Sequence, residues 1–285
     1  MNESVKRIDV KGPRGTWSYE APNWADQFPI VMGDTYRHGG VSKASYESLN
    51  LAFHVGDEAQ NVRANRAIVA EYLGVDPKCI SCGNQVHGLK AVEITENLVG
   101  AGALGEDTAI ADCDAVFTRL PNVPLFLFTA DCVGVGIYDA KHHAIATVHA
   151  GWRGAIGHLP VLTIEAMKET YGTEFKDCYV YLGPSIGPES FEVDVELGKR
   201  FELAWRAMTE RNAADVVNYP GDKLDKAYIN LWNFIAEGLI VNGVPKDHIA
   251  IGGTDSVTES DCYSYRREAG TTGRMALFGM LQDRS

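Results

Sequence analysis

The apolar positions of the chain fall into short runs and helical stripes separated by polar, glycine-rich segments. Two such runs, 133–138 and 143–148, flank the polar stretch DAKH at 139–142, the pattern of two strands joined by a turn. Further strands are predicted at 28–32, 90–95, 111–118, 178–182 and 275–281. Helical spacing predicts a helix over 57–73, with Asp57 as its cap and Gly74 as its stop. A second helix opens at Pro160 and runs to about residue 171, turning Leu162 and Met167 toward a core. Two more are expected at 196–212 and 228–242, with Trp205, Trp232 and Phe234 buried.

Composition narrows the picture. A chain of 285 residues that is 45% hydrophobic has enough apolar material for a sizeable core. Its longest apolar runs are interrupted by Pro124 or Asp131 well short of a membrane span, and the opening MNESVKRIDV lacks the apolar segment of a secretory signal. The expectation is a soluble cytoplasmic protein with no membrane partner, whose six cysteines are reduced thiols. A net charge of −12 and a pI near 5.1 argue against nucleic acid as a partner. An anionic substrate must therefore meet a local group of arginines.

Candidate chemistry concentrates around the hairpin. With Tyr138 opposite His143, the antiparallel register places Cys132 opposite His149, with Cβ atoms about 5 Å apart. Zinc takes a thiolate at about 2.3 Å and an imidazole at about 2.0 Å, so one metal could take both. The same closeness suits a cysteine nucleophile with a histidine base. Elsewhere, His87 in NQVHG is a ligand or a structural histidine, and Cys79 with Cys82 is an isolated CxxC without the second pair of a four-cysteine site. Asp112 and Asp114, at the head of a strand, are caps or partners that orient a metal-bound histidine. Arg37, beside paired glycines, is aimed inward or exposed on a turn. The Gly/Pro-bounded segment 183–188 either lines a pocket or is a plain crossover. Arg266, Arg267 and Arg274 form either an anion site or a solvated basic turn.

Taken in order, RHGGVS, SLNL, HVGD, NQVHG, DCDAVFT, TADCVGVGIYD, VHAGWRG, LGPSIGP and SYRRE with TTGRMA resemble the YfiH-like family, also called polyphenol oxidoreductase laccase or purine nucleoside phosphorylase proteins. The resemblance runs from about Arg37 to the C-terminus and implies one continuous domain over 1–285. It implies a layered α/β/β/α sandwich of mixed, largely antiparallel sheets, shared with certain cysteine deamidase toxins. By the same resemblance a metal, usually taken as zinc, is held by His87, Cys132 and His149. Three protein ligands leave one tetrahedral position open, as in catalytic zinc sites, and such a set suits zinc or copper. The chain departs from the family pattern twice, with Thr254-Asp255 where a Cys-Thr pair is common and Glu189-Ser190 where paired cysteines are common.

The activity implied is phosphorolysis of adenosine, inosine or methylthioadenosine to base and sugar phosphate, with adenosine deamination as a second reaction. Phosphorolysis needs a cationic cradle for phosphate, for which Arg37, Arg153 and Arg266 are the candidates. Deamination needs water activated at neutral pH, and an open zinc lowers the pKa of its water to about 7. Asp131 either protonates or positions the leaving base, or caps its strand. Other readings are a metal-free Cys132/His149 hydrolase acting on an amide such as a peptidoglycan precursor, a copper-dependent phenol oxidase, and a binding protein with a structural metal. The oxidase reading suits poorly a chain with eight histidines and no HxH pair. The oligomeric state is not legible.

Overall fold

The computed structural model describes residues 4–13 and 15–283. Two sheets lie face to face. One has five strands in the order Val5–Gly12, Gly15–Pro22, Ile30–Thr35, Met275–Leu281 and Leu125–Thr129. The other has six, in the order Ile249–Ile251, Cys178–Leu182, Val133–Asp139, Ala144–Ala150, Ala115–Thr118 and Ala91–Glu93. Neighbouring strands are antiparallel except at the two edges of the larger sheet, where Ala91–Glu93 and Ile249–Ile251 pair in parallel. A small third sheet joins Glu192–Asp194, Lys226–Ile229 and Val217–Asn218.

Period-2 alternation decides what each face meets. In the larger sheet Val133, Val135, Ile137, Ala146 and Val148 turn outward to Leu159 and Ile164 of the helix Leu159–Tyr171 and to Phe234 of the helix Leu231–Val241. Tyr138 and Ile145 turn inward and meet Met32, Leu125, Leu127 and Leu277 of the other sheet. The outer face of that sheet, with Trp17, Tyr19, Phe126 and Phe278, is covered by Ile68 and Val69 of the helix Ala59–Leu73. The central strands of both sheets are thus buried on both faces, which is why they read as unbroken apolar runs. Each such side chain contributes about 1.5–3 kcal/mol by leaving water. The result is the layered helix, sheet, sheet, helix sandwich. Gly136 has a steric reason: a Cβ there would lie 2.4 Å from the Met32 sulfur.

The hairpin is present, but its register differs from the expected one. Tyr138 pairs with Ile145 and Val133 with Ala150, so Cys132 lies one step beyond the pairing and not opposite His149. The cause is Asp139, which ends its strand opposite Ala144 and accepts hydrogen bonds from the Lys141 and His142 amides (2.9 and 3.0 Å), moving the turn one residue along to 140–143 and taking His143 to φ 51°. Asp57 is likewise not the helix cap. Glu58 holds that position without a side-chain bond, and the Asp57 carboxylate instead accepts from Ser42 Oγ (2.6 Å) and Asn50 Nδ2 (3.0 Å). Gly74 does end that helix, at φ 72°. In the helix Leu159–Tyr171 Met167 is buried as expected, whereas Leu162 is exposed and its neighbours Val161 and Ile164 carry the apolar face. The strands Val5–Gly12 and Gly15–Pro22 have no counterpart in the sequence reading. Among the described residues no helix is long and apolar enough to cross a membrane.

Candidate metal centre and its cavity

One acid organises the site. Asp114 stands just before the strand Ala115–Thr118, its side chain fully buried. Its Oδ1 accepts from His149 Nδ1 at 2.8 Å and from the His87 amide at 2.9 Å, and its Oδ2 accepts from the amides of Val86 and Gly88 at 3.1 and 2.8 Å. The carboxylate thereby fixes the left-handed turn on which His87 sits, at φ 59°, and leaves Nε2 of His149 for another partner. Burial alone would raise the Asp114 pKa. The bonds from His149 and the turn amides outweigh it, and the carboxyl is held below its ordinary range.

Cys132 completes the group. Its Sγ lies 3.8 Å from Nε2 of His87, the rings of His87 and His149 meet edge to face at 4.8 Å, and one donor atom from each residue lies within 4.8 Å of the others. A tetrahedral zinc with bonds of about 2.0–2.3 Å needs its ligands roughly 3.5 Å apart, so these two nitrogens and one sulfur can close on a single ion if the widest pair moves together by about 1 Å. Among the described residues no other group of three His, Cys, Asp or Glu side chains is placed to hold a metal. One compact centre does not fit a multinuclear copper cluster. Without metal Cys132 and His149 form an ion pair. Desolvation works against the Cys132 thiolate, yet His149 and His87 bring its pKa down to about 6. Burial opposes the charge on His149, but the thiolate and Asp114 lift it to about 9.

The centre lies in the wall of a cavity of about 400 Å³. Phe128, Trp152, Ile186, Phe191 and Leu231 give it an apolar, partly aromatic side, and His54, Gln85, Tyr265, Arg266 and Arg274 a polar one. Gln85 holds the Phe128 backbone at both its amide and its carbonyl (2.7 and 2.8 Å). Desolvation, then the positive groups Arg274, His149, Arg66 and His87, lower the pKa of His54 to about 4 and keep it neutral. Arg266 donates to the carbonyls of Ser190 and Glu192 (3.3 and 3.1 Å), and Arg274 to those of Thr272 and Gly273 (2.8 and 3.0 Å). Among the described residues neither guanidinium has a carboxylate partner, although the protein carries a net charge of −12.

The structure distributes the other predicted residues as follows. Arg37 lies outside the cavity lining, paired with Glu268 at 2.5 Å and stacked over Tyr263. Arg153 is also outside it, exposed, with its guanidinium 4.3 Å from the centre of the Trp152 ring. Asp131 does line the cavity, but both its oxygens are taken at 2.7 Å, one by Ser256 Oγ and one by the Arg266 amide. Arg267 spreads over the carbonyls of Ser256, Val257, Glu259 and Cys262 and is structural. Cys79 and Cys82 are free thiols, and Cys82 is buried beside Arg66. Sequence reasoning missed His54, Gln85 and Tyr265. Each lies inside a motif of the resemblance (HVGD, NQVHG and SYRRE), a signal that could have found them. The two departures from the family pattern meet, since Ser190 Oγ donates to Asp255 Oδ2 at 2.5 Å.

A family profile described as multi-copper polyphenol oxidoreductase laccase matches residues 31–282. The chain is 33% identical over 274 residues to purine nucleoside phosphorylase YlmD of Geobacillus stearothermophilus, covering 93% of this chain and 94% of that protein. It is 32% identical to purine nucleoside phosphorylase PA4543 of Pseudomonas aeruginosa over 265 residues, 92% of this chain and 98% of the other. The crystal structure of YlmD from G. stearothermophilus superposes with a TM-score of 0.86 at 30% identity, covering 98% of this chain and all of that one. That of the hypothetical protein YfiH from Bacillus licheniformis gives 0.88 at 26%, again over 98% of this chain and all of the other.

Proposed function

Since the chain belongs to the multi-copper polyphenol oxidoreductase laccase family, also known as YfiH-like, we propose that it is a zinc-dependent purine nucleoside phosphorylase with adenosine deamination as a second reaction. The observation that carries this reading is the cavity itself: two guanidiniums without carboxylate partners and a His/Cys/His donor set share one space with an aromatic wall. A nucleoside offers an apolar, stackable base and a polar sugar, and phosphate supplies the anion that the arginines lack.

Phe191 and Trp152 cover the faces of the purine, with Leu231 and Ile186 closing the space behind. Arg274, whose guanidinium donates to the Thr272 and Gly273 carbonyls and has no carboxylate partner among the described residues, takes phosphate, and neutral His54 can donate a hydrogen bond to it. Arg266 beside Phe191 grips the nucleoside. As the glycosidic bond breaks, positive charge on the sugar meets the anion held at Arg274, which stabilises the transition state more than the ground state. His87, Cys132 and His149 would hold zinc, whose Lewis acidity polarises a substrate oxygen or water. Asp131, with both oxygens occupied, serves by fixing the backbone of Arg266.

The test is phosphate-dependent release of hypoxanthine from inosine by the metal-loaded protein. The expected result is cleavage that saturates in phosphate and falls to near zero without it. Cleavage indifferent to phosphate sinks the reading. A second reading has one observation in its favour: Cys132, His149 and Asp114 stand in the order of a nucleophile, a base and the group that orients it. A metal-free amide hydrolase of that kind keeps its activity on chelation and loses it on alkylation of Cys132, whereas the phosphorylase loses its activity on chelation.

A further inference from the structure

We propose that Asp255 is a positioning residue for nucleoside binding, acting through Arg266; the inference rests on the phosphorylase reading. Asp255 does not line the cavity. Its carboxylate ties the segment 186–191, which lines the cavity at Ile186 and Phe191, to the segment 254–257. Oδ1 accepts from the Gly187 amide at 3.0 Å and the Val257 amide at 2.9 Å, and Oδ2 accepts from Ser190 Oγ at 2.5 Å. Just before these bonds the segments are stitched by backbone, Ser185 N to the Thr254 carbonyl (3.1 Å) and Ser256 N to the Ser185 carbonyl (2.9 Å). The fit is close, since a Cβ on Gly187 would lie 2.7 Å from Oδ2.

What hangs on this junction is the cavity wall. Phe191 follows Ser190 directly and lines the cavity, and the carbonyls of Ser190 and Glu192 are the acceptors that hold the Arg266 fork. The backbone of Arg266 is fixed from the other side by Asp131, so the direction of its guanidinium is set by where the 190–192 carbonyls lie. Removing the Asp255 carboxylate strips the 187–190 turn of two hydrogen bonds, those from Gly187 N and Ser190 Oγ, and frees the Ser190 carbonyl to move, while Glu192 stays in its strand beside Tyr228. A long, exposed arginine then spreads over many rotamers, and its substrate contact weakens while the metal centre is untouched.

The experiment measures inosine and phosphate KM, kcat and bound zinc for Asp255→Ala, Asp255→Asn and Ser190→Ala, and repeats Asp255→Ala in an Arg266→Ala background. Asp255→Ala should raise inosine KM at least fivefold, with kcat, phosphate KM and zinc content within twofold of the parent. Asparagine keeps an acceptor for the two amides and should recover most of the loss, and Ser190→Ala, which loses one bond only, should show a smaller rise. In the Arg266→Ala background the same change should add less than twofold. An equal factor in both backgrounds, or a fall in kcat with KM unchanged, overturns the proposal. Amide exchange reads the junction without turnover: exchange at Gly187 and Phe191 should quicken at least tenfold in Asp255→Ala with the strands as in the parent, and unchanged exchange also overturns it. If the parent enzyme fails to cleave inosine with phosphate, it is the phosphorylase reading that falls, and the exchange measurement still decides the junction.

Discussion

The Asp114 carboxylate and the His149 imidazole are joined at Nδ1 by a 2.8 Å hydrogen bond, and the same carboxylate holds three successive amides of the turn that presents His87. One buried acid therefore positions two of the three metal donors, from two segments far apart in sequence. Asp114→Asn keeps the size but loses the charge and one acceptor. Loss of such an outer partner costs 10- to 100-fold in metal affinity in other proteins. We expect a loss of that order in chelator competition, and an affinity equal to the parent's would leave Asp114 a turn residue only.

The ion pair in the metal-free centre has a consequence for proton balance. His149 is raised to about 9 and Cys132 lowered to about 6, so between those values the thiolate is already formed while His149 still carries its second proton. A metal takes Nε2 only from neutral imidazole, so binding at about pH 7.5 should release about one proton from this pair. Release should fall away as pH rises through about 9, where His149 is already neutral. Calorimetric titration with zinc in two buffers of different ionisation enthalpy gives the count, and two protons from the pair at neutral pH would mean that Cys132 is an ordinary thiol.

Arg274 and Arg153 separate the anion role from mere presence of charge. Arg274 lines the cavity with its guanidinium held by two backbone carbonyls, and its truncation removes a charged hydrogen bond worth about 1.5–3 kcal/mol. Arg274→Ala should raise the phosphate KM by about tenfold or more. Arg153→Ala removes a group that lies over Trp152 outside the cavity lining, and should change phosphate KM by less than about threefold. Equal effects of the two changes would show that phosphate responds to overall charge and not to Arg274.

Much of the architecture was legible because the central strands of both sheets are buried on both faces: runs such as 133–138 and 275–281 have no polar side to obscure them. The strand Val5–Gly12 escapes the sequence reading although Arg7, Ile8, Asp9, Val10 and Lys11 alternate as a half-buried strand does, because the segment around it is polar and glycine-rich. Of the site, Cys132 and His149 were read as neighbours through a register two residues in error. They are neighbours nonetheless, because Cys132 lies just past the strand end, where the chain is free to turn its sulfur toward the histidines. The arginines were harder. Whether Arg37 or Arg274 faces the cavity depends on whether a carboxylate claims it, and the pairing of Arg37 with Glu268 spans 231 residues of sequence. No local pattern records such a partner.

Gly151 offers the narrowest test of the metal centre's geometry. It follows the strand Ala144–Ala150 with extended backbone angles, φ −66° and ψ 177°, which any residue can adopt, so its need for glycine is one of space. A Cβ at this position would stand 2.9 Å from the Cys132 sulfur and 3.0 Å from Cδ2 of His87. Gly151→Ala must push these two donors aside, and overpacking of this kind costs about 1–3 kcal/mol. Because the crowded atoms are two of the three ligands, the cost should fall on metal binding: zinc affinity should drop at least tenfold, with a smaller change in the stability of the metal-free protein. Gly221→Ala, where a Cβ meets nothing within 4 Å, is the control and should change neither. Chelator competition for zinc and thermal melts of the metal-free variants give the two numbers. A Gly151→Ala protein that binds zinc as tightly as its parent would show that the sulfur of Cys132 and the ring of His87 do not close on a common ion.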